Sequence, residues 1–344
     1  MMLANDYALE LHRLQQVGPV DIPHIDGVKM IVKDRLDPHT YDPIILNHLK
    51  KLVDDPTITD DLFELRSGDK PEFNEADYPN VKIEHYMSTE MSQAVPYLKI
   101  FSREATDQKA LIYMHGGAYY AGSANETLEP LTRLAQEFSG IIYSVDYRLC
   151  PENPYPASVL DCLSVVLMAS RNHEELILAG DSAGASIALG VSQLAQQLGV
   201  SKITNHLLFY PTVIHGSNLL GPILDDKKVP IRPDERPVLH ANYQQFRQLD
   251  RIMTKYYTSG ENVDLTSPII SPLYADPTWF KKVTILIGEF DPFRFQAEAF
   301  AQEVGTACGE VNFIRYGGLG HAFLNFLGQV AASEDSIREA GLHL

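Results

Sequence analysis

The stretch from residue 176 to residue 199 constrains the fold of this chain more than any other. A short apolar run at 176–179 (LILA) leads into 180–184 (GDSAG), and small and apolar residues at helical spacing follow. This order predicts a strand, a sharp turn and a helix, with Ser182 at the apex of a G-x-S-x-G motif. The serine takes a sparsely populated backbone conformation, so its glycine neighbours must be small enough for strand and helix to approach. Ser182 is then expected at the positive end of the helix, where negative charge is favoured.

Strand and helix patterns alternate on both sides of this stretch. Two segments of period two, 81–86 and 95–101, predict an opening antiparallel pair. Continuous apolar runs, typical of strands buried on both faces of a parallel sheet, follow at 110–114, 141–145, 206–210 and 283–287, and 311–315 closes the series. The alternation predicts an α/β fold: an open, mostly parallel, twisted sheet of about eight strands flanked by helices.

Two parts of the chain do not fit the alternation. Residues 1–65 carry apolar residues at helical spacing, and 213–266 is too long for an ordinary connection in a compact domain. We therefore expect an α/β core formed by 66–212 and 267–344. Residues 1–65 and 213–266 are expected to form a helical cap over it.

Composition excludes several classes of partner. The formal net charge is −17, from 28 Lys and Arg against 45 Asp and Glu, which argues against binding to nucleic acid or an anionic membrane surface. No apolar run approaches the roughly eighteen residues of a membrane span. The first residues lack a basic region followed by an apolar one, so a cytoplasmic location is expected. The three cysteines, Cys150, Cys162 and Cys308, lack metal-ligand spacing. Nothing in the composition decides between a monomer and a homodimer.

Three further stretches carry chemistry at the predicted carboxyl ends of strands, where such sheets bind ligands. Residues 114–122 (MHGGAYYAG) follow a buried strand, and glycines there free backbone N–H groups to bind an oxyanion. Asp291 and His321 follow the last two strands, so the chain order is Ser182, Asp291, His321. A serine hydroxyl needs an imidazole to accept its proton, and the imidazole needs a carboxylate to fix its tautomer. Glu289 competes for the acid's role, but the proline after Asp291 marks the latter as the strand-end residue.

These motifs together resemble the hormone-sensitive-lipase-like family of α/β-hydrolase carboxylesterases. The resemblance covers about 109–323 and includes HGGAYYAG, DYRLCPENPYPA, GDSAGAS, SPLYAD, GEFDP and GHAF. It implies an α/β-hydrolase fold with Ser182 as nucleophile, His321 as base and Asp291 as the residue that orients it. It also implies an oxyanion hole and its supports: the N–H groups of Gly117, Ala118 and Ala183 for the hole, and His115, Gly116 and Asp181 behind it.

One departure from the family pattern bears on the site. Ala118 replaces the third glycine of the usual H-G-G-G, which keeps the N–H but restricts the backbone. The leading prediction is a serine carboxylesterase that acts on small to medium acyl esters, with no metal and no organic cofactor. An amidase or peptidase with the same three residues remains open, and so does a non-catalytic binding protein on this fold.

Overall fold

In the part of the chain that the structure describes, ten strands form one sheet, which positions the residues of the predicted site. The structure, a computed structural model, describes residues 4–21, 27–68, 72–216, 225–259, 263–307 and 309–344. The strands are β1 Val20–Asp21, β2 Val28–Lys33, β3 Val81–Ser88, β4 Val95–Ser102, β5 Lys109–Met114, β6 Ile141–Val145, β7 Glu175–Asp181, β8 Ile203–Phe209, β9 Lys282–Gly288 and β10 Glu310–Tyr316.

The order of strands is β1-β2-β10-β9-β8-β7-β5-β6-β4-β3. The seven strands from β2 to β6 in this order run parallel, while β1, β4 and β3 are antiparallel to their neighbours. The parallel strands are the apolar runs of the sequence; β5 and β7 are buried along most of their length, because helices cover both faces. The prediction of a mostly parallel sheet flanked by helices is therefore confirmed.

Helices lie on both faces of the sheet. The α-helices of the described residues are α1 Ala4–Leu14, α2 Pro43–Leu49, α3 Leu62–Arg66, α4 Leu128–Glu137, α5 Ala157–Asn172, α6 Ala183–Gln197, α7 Arg236–Thr258, α8 Arg294–Thr306 and α9 Ala331–Leu342. Neighbouring residues of a strand point to opposite faces, so Leu111 and Ile177 belong to one hydrophobic cluster and Ile112 and Leu178 to the other. No helix in the described ranges is long and apolar enough to cross a membrane.

The sheet is larger than the predicted eight strands because the N-terminal region is not wholly helical. Residues 28–33 (VKMIVK) form β2, which pairs in parallel with β10, Val28 opposite Val311 and Lys33 opposite Tyr316. The segment contains three β-branched residues, Val28, Ile31 and Val32, which favour an extended chain. The expectation that all of 1–65 is a helical layer is wrong at these residues.

The remaining N-terminal helices are divided between two places. Helix α1 packs against α9 at the flank of the sheet. Helix α2 and the 3₁₀ helix Lys50–Val53 instead pack against α7, the long helix within the second predicted cap segment. Residues 217–224 and 260–262 of that segment lie outside the described residues.

Candidate active site

Ser182 lies at the sharp turn between β7 and α6. Its backbone angles are φ 52° and ψ −119°, a conformation that costs a non-glycine residue on the order of 1–3 kcal/mol. A Cβ added to Gly180 would lie 2.6 Å from both the carbonyl oxygen of Met114 and the carbonyl carbon of Gly184. The two glycines of the motif therefore allow the close approach of β7, α6 and β5 that holds the serine in this strained conformation.

His321 connects Ser182 to Asp291. The Ser182 hydroxyl lies 2.9 Å from Nε2 of the imidazole, and Nδ1 lies 2.9 Å from Oδ2 of Asp291. The next residue, Ala322, has a left-handed backbone conformation with φ 54°, so the chain turns immediately after the histidine. If Nδ1–H donates to the carboxylate, Nε2 is left to accept the serine proton.

Asp291 is completely buried, yet both of its carboxylate oxygens have partners. Oδ2 faces His321, and Oδ1 accepts a hydrogen bond of 2.7 Å from the Phe293 N–H. Tyr243 of α7 donates its hydroxyl to the Asp291 carbonyl oxygen at 3.2 Å. Because a buried carboxylate without partners is costly, the contacts to its two oxygens stabilise its position.

Three aromatic rings surround the His321 imidazole edge-on. The ring centroids of Tyr210 and Phe246 lie 4.9 Å from it, and that of Phe293 lies 5.1 Å away. The sequence did not single out these residues. Tyr210 could have been predicted near the site, because it lies at the end of the apolar run that forms β8. The helical pattern around Phe246 does not indicate a contact with His321. The rings leave the imidazole little room to rotate.

The residues of the predicted oxyanion hole stand in consecutive left-handed conformations. Gly117 has φ 113°, Ala118 has φ 52° and Tyr119 has φ 66°. The N–H groups of Gly117 and Ala118 donate to no backbone carbonyl of the described residues. Ala118 stands where the resembling family usually has glycine, and it adopts a left-handed conformation that is strained for a residue with a Cβ.

Asp181 supports this loop from behind Ser182. Its Oδ1 accepts hydrogen bonds of 2.8 Å from the Tyr113 hydroxyl and from the Gly116 N–H. Burial raises the pKa of the Asp181 carboxyl, although these hydrogen bonds act in the opposite direction. Gly116 has no room for a Cβ, because the Asp181 carboxylate occupies that space. The contact therefore ties the loop after β5 to the end of β7.

The His115 side chain contacts its own loop, whereas the Ser182 hydroxyl pairs with His321. Its Nδ1 lies 2.7 Å from the Gly116 carbonyl oxygen, and its ring stacks on Tyr147 with centroids 4.1 Å apart. The Tyr147 hydroxyl donates to the His115 carbonyl oxygen at 2.7 Å. Burial lowers the pKa of the imidazole, which favours the neutral form. The side chain thus braces the loop as an uncharged hydrogen-bond donor.

Glu289, the alternative acid, is directed away from His321. Its Oε1 lies 2.7 Å from Nδ1 of His39, and its Oε2 accepts the Gly318 N–H at 3.3 Å. The Asp42 N–H in turn donates to the Gly318 carbonyl oxygen at 2.9 Å. The segment after β2 is therefore fastened to the two loops that carry Asp291 and His321, a role that the N-terminal sequence did not indicate.

A cavity of about 370 Å³ contains Ser182 and His321. Leu65 and Leu249, one from each predicted cap segment, contribute to its wall. The rest of the lining includes several small residues, among them Gly117, Ala118, Ala121 and Ala322.

Within the described ranges no group of three or more His, Cys, Asp or Glu side chains could hold a metal ion. Cys150 and Cys162 are buried free thiols, and Cys308 lies outside the described residues.

A family model described as alpha/beta hydrolase fold matches residues 111–325, well over half of the chain. The carboxylesterase NlhH of Mycobacterium tuberculosis is 28% identical over 237 residues, 66% of this chain and 70% of its own. The arylesterase of Saccharolobus solfataricus is 29% identical over 237 residues, 66% of this chain and 72% of its own. Both matches agree with the resemblance inferred from the motifs.

Similarity to solved structures extends over more of the chain. The hyperthermophilic esterase from the archaeon Pyrobaculum calidifontis superposes with a TM-score of 0.69 at 22% identity, covering 88% of this chain and 97% of that one. A likeness at this level of identity shows a shared fold. The arrangement around Ser182 must therefore be judged on its own geometry.

Proposed function

Because this chain belongs to the α/β-hydrolase fold family, in its hormone-sensitive-lipase-like branch of esterases, we propose that it is a serine carboxylesterase. The observation that carries the proposal is the line from Ser182 through His321 to Asp291, with 2.9 Å at each step. Nucleophile, base and orienting acid at hydrogen-bond distance are what acyl transfer by a serine requires. The relatives named carboxylesterase and arylesterase support the same class of reaction.

The reaction proceeds in two halves. As the Ser182 oxygen attacks the ester carbonyl carbon, His321 Nε2 takes the hydroxyl proton, and the buried Asp291 stabilises the imidazolium. The bond from carbonyl carbon to alcohol oxygen then breaks, and His321 returns the proton to the departing alcohol. A water molecule repeats the sequence on the acyl-enzyme, releasing the acid and the free serine.

The N–H groups of Gly117, Ala118 and Ala183 are assigned to the negative charge of the tetrahedral intermediate. Gly117 and Ala118 line the cavity of Ser182, and Ala183 opens α6, whose N-terminal end favours an anion. Removing one such donor costs on the order of 3 kcal/mol of transition-state stabilisation in comparable enzymes. His115, Gly116 and Asp181 keep the loop in place through their hydrogen bonds.

The cap, in this proposal, is smaller than the sequence suggested. It consists of α7 with the helices packed on it, and it contributes Phe246 beside His321 and Leu249 in the cavity wall. These side chains set the size of the acyl group and exclude water from the ester, which strengthens the contacts to the developing charge. Small and medium acyl groups suit a cavity of about 370 Å³.

The test is a panel of p-nitrophenyl esters of increasing acyl length, assayed with wild type, Ser182→Ala and a matched control. Ser201→Ala, at an exposed position before β8, is that control. We expect activity on short esters that Ser182→Ala abolishes and Ser201→Ala leaves intact. Activity that survives Ser182→Ala, or hydrolysis of anilides in preference to esters, would contradict the proposal.

A further inference from the structure

A second and larger cavity opens beside the one that contains Ser182. It measures about 1050 Å³, against about 370 Å³ for its neighbour. The two cavities share part of their walls, including Thr127, Asp181, Tyr210 and Asn325. Pockets that bind drug-sized ligands measure roughly 300–1,000 Å³, so this space has room for a group much larger than a short acyl chain. We call it the side chamber and define it by Phe73, Tyr78, Gln136, Asn325 and Gln329.

The walls of the side chamber are rich in uncharged hydrogen-bonding groups. Gln136, Asn325 and Gln329 are exposed residues in this wall and present amide donors and acceptors, whereas the Asn74 amide is engaged with Ala76 and Asp77 of its own turn. Phe73 and Tyr78 stack on each other with ring centroids 5.7 Å apart and an interplanar angle of 11°. The cavity of Ser182 also has polar residues in its wall, but it includes three glycines and three alanines, residue types that do not line the side chamber.

Arg133, the cationic residue in the wall of the side chamber, is already paired with acidic neighbours. Arg133 makes ion pairs of 2.7 Å with Glu129 and with Glu334, and the Tyr78 hydroxyl donates to Glu129 at 2.7 Å. This wall is therefore held rigid and offers no free positive charge to an anionic ligand. Two exposed carboxylates, Glu72 and Asp77, also line the side chamber, and they would favour a cationic ligand.

The side chamber adjoins the chain segment that follows His321. Its wall includes Leu324 and Asn325, from the 3₁₀ helix Phe323–Phe326 that directly follows the histidine turn, and continues to Leu327 and Gln329. In acyl transfer, the histidine must reach the oxygen of the departing alcohol. Because the side chamber shares part of its wall with the cavity that contains His321, a group bound there can serve as the alcohol part of an ester whose acyl part lies in the smaller cavity.

We propose that the side chamber binds a polyhydroxylated alcohol, so that the preferred substrate is a short-chain acyl ester of a sugar. The inference rests on the proposed esterase function. A sugar carries many hydroxyl groups for the amides and has flat apolar faces that pack on aromatic rings. The volume favours a unit of one to a few sugar rings over a small cationic alcohol. In the reaction, the ester bond to the sugar oxygen breaks and that oxygen takes the proton from His321.

The first experiment compares kcat/KM for three acetate esters: an acetylated disaccharide, ethyl acetate and acetylcholine. Each value is divided by the rate constant of alkaline hydrolysis of the same ester, which removes differences in intrinsic reactivity. We expect the sugar ester to exceed ethyl acetate by about tenfold or more, the effect of one or two additional hydrogen bonds. Equal values, or a preference for acetylcholine, would overturn the inference.

The second experiment fills the side chamber. Gln136→Trp places a bulky ring in it from the end of α4, and Gln197→Trp, at the exposed end of α6, is the matched control. We expect Gln136→Trp to reduce the ratio of sugar-ester to ethyl-acetate kcat/KM about tenfold, whereas Gln197→Trp keeps the wild-type ratio. Phe73→Ala, which removes one face of the aromatic pair, is a second variant expected to lower the same ratio.

The two proposals fail in different ways. A wild-type protein that hydrolyses all three esters without preference, or a Gln136→Trp variant with the wild-type ratio, would overturn the side-chamber assignment and leave the esterase intact. A wild-type protein that hydrolyses no ester would overturn the esterase proposal itself.

Discussion

Asp291 reaches Nδ1 of His321 at 2.9 Å, whereas Glu289, two positions earlier in the chain, pairs with His39 at 2.7 Å. Both carboxylates are almost completely buried, so burial does not distinguish them. The two carboxylates differ in the residue that they contact, because β9 ends at Gly288 and the chain then turns. The geometry leads to separate expectations for the two acids.

Asp291→Asn should lower kcat by about 10⁴-fold, because the amide stabilises the wrong imidazole tautomer. Glu289→Gln should lower it far less, since the amide oxygen of the substituted side chain still accepts the Gly318 N–H. Steady-state kinetics with p-nitrophenyl acetate measures both, and circular dichroism checks that both variants are folded. A larger loss for Glu289→Gln than for Asp291→Asn would show that the acid is misassigned.

The sequence predicted the core of the sheet better than its edges. The strands β5, β7, β8 and β9 are continuous apolar runs that only a sheet covered on both faces explains. In β2 the lysines at 29 and 33 interrupt the apolar pattern of the sequence. The reason for a lysine at position 33 is visible only in the folded structure. Lys33 is completely buried against Asp335 and Glu339 of α9, a pairing across the length of the chain.

In the active site, too, the sequence predicted some features and not others. Strand-end motifs placed Ser182, Asp291 and His321 within reach of one another, because parallel strands end at one edge of a sheet. The rings of Phe246 and Phe293 around His321 depend on how α7 and the turn after β9 pack, and a helical pattern does not encode that. The contact between His39 and Glu289 likewise depends on the pairing of β2 with β10, which the sequence did not predict.

Lys33→Met should destabilise the fold by about 3–5 kcal/mol, because it leaves two buried carboxylates without their cation. Lys29→Met is the matched control in the same strand: Lys29 is largely exposed and its contact with Glu310 is 3.3 Å long. We expect a change within about 0.5 kcal/mol for this control. Urea unfolding measures both, and equal effects of the two substitutions would contradict an anchoring role for Lys33.

Asp250 of α7 should make stability fall as the pH rises. Burial raises the pKa of its carboxyl to about 6; Oδ1 accepts the Gly216 N–H at 3.3 Å, and Oδ2 has no partner among the described residues. An acid whose pKa is raised in the folded state stabilises it below the unfolded pKa. That contribution is lost between about pH 4 and pH 6.

Asp250→Asn should therefore raise the free energy of unfolding by about 2 kcal/mol near pH 8 and by much less near pH 4. Asp264→Asn, at an exposed position, should show no such gain. Urea unfolding at the two pH values measures the difference. A gain of the same size at both pH values would show that the effect is not ionisation of Asp250.

Phe246→Ala should change catalysis more than stability of the sheet, because the ring packs on His321 and belongs to α7. We expect kcat to fall about tenfold or more as the imidazole gains freedom, and the acyl-length optimum to shift to longer chains. Phe63→Ala removes a largely exposed ring and serves as the control. A variant of Phe246 with the wild-type kcat and acyl profile would argue against a cap formed by α7.

The central claim, that Ser182 carries the acyl group, is tested most directly by trapping the intermediate. The protein is quenched in acid during turnover of p-nitrophenyl acetate and its peptides are analysed by mass spectrometry. The account predicts an acetyl group on the peptide that contains Ser182, increased in Asp291→Asn if deacylation slows more than acylation, and absent in Ser182→Ala. Acetylation at another residue that parallels turnover, or turnover that persists in Ser182→Ala, would contradict it.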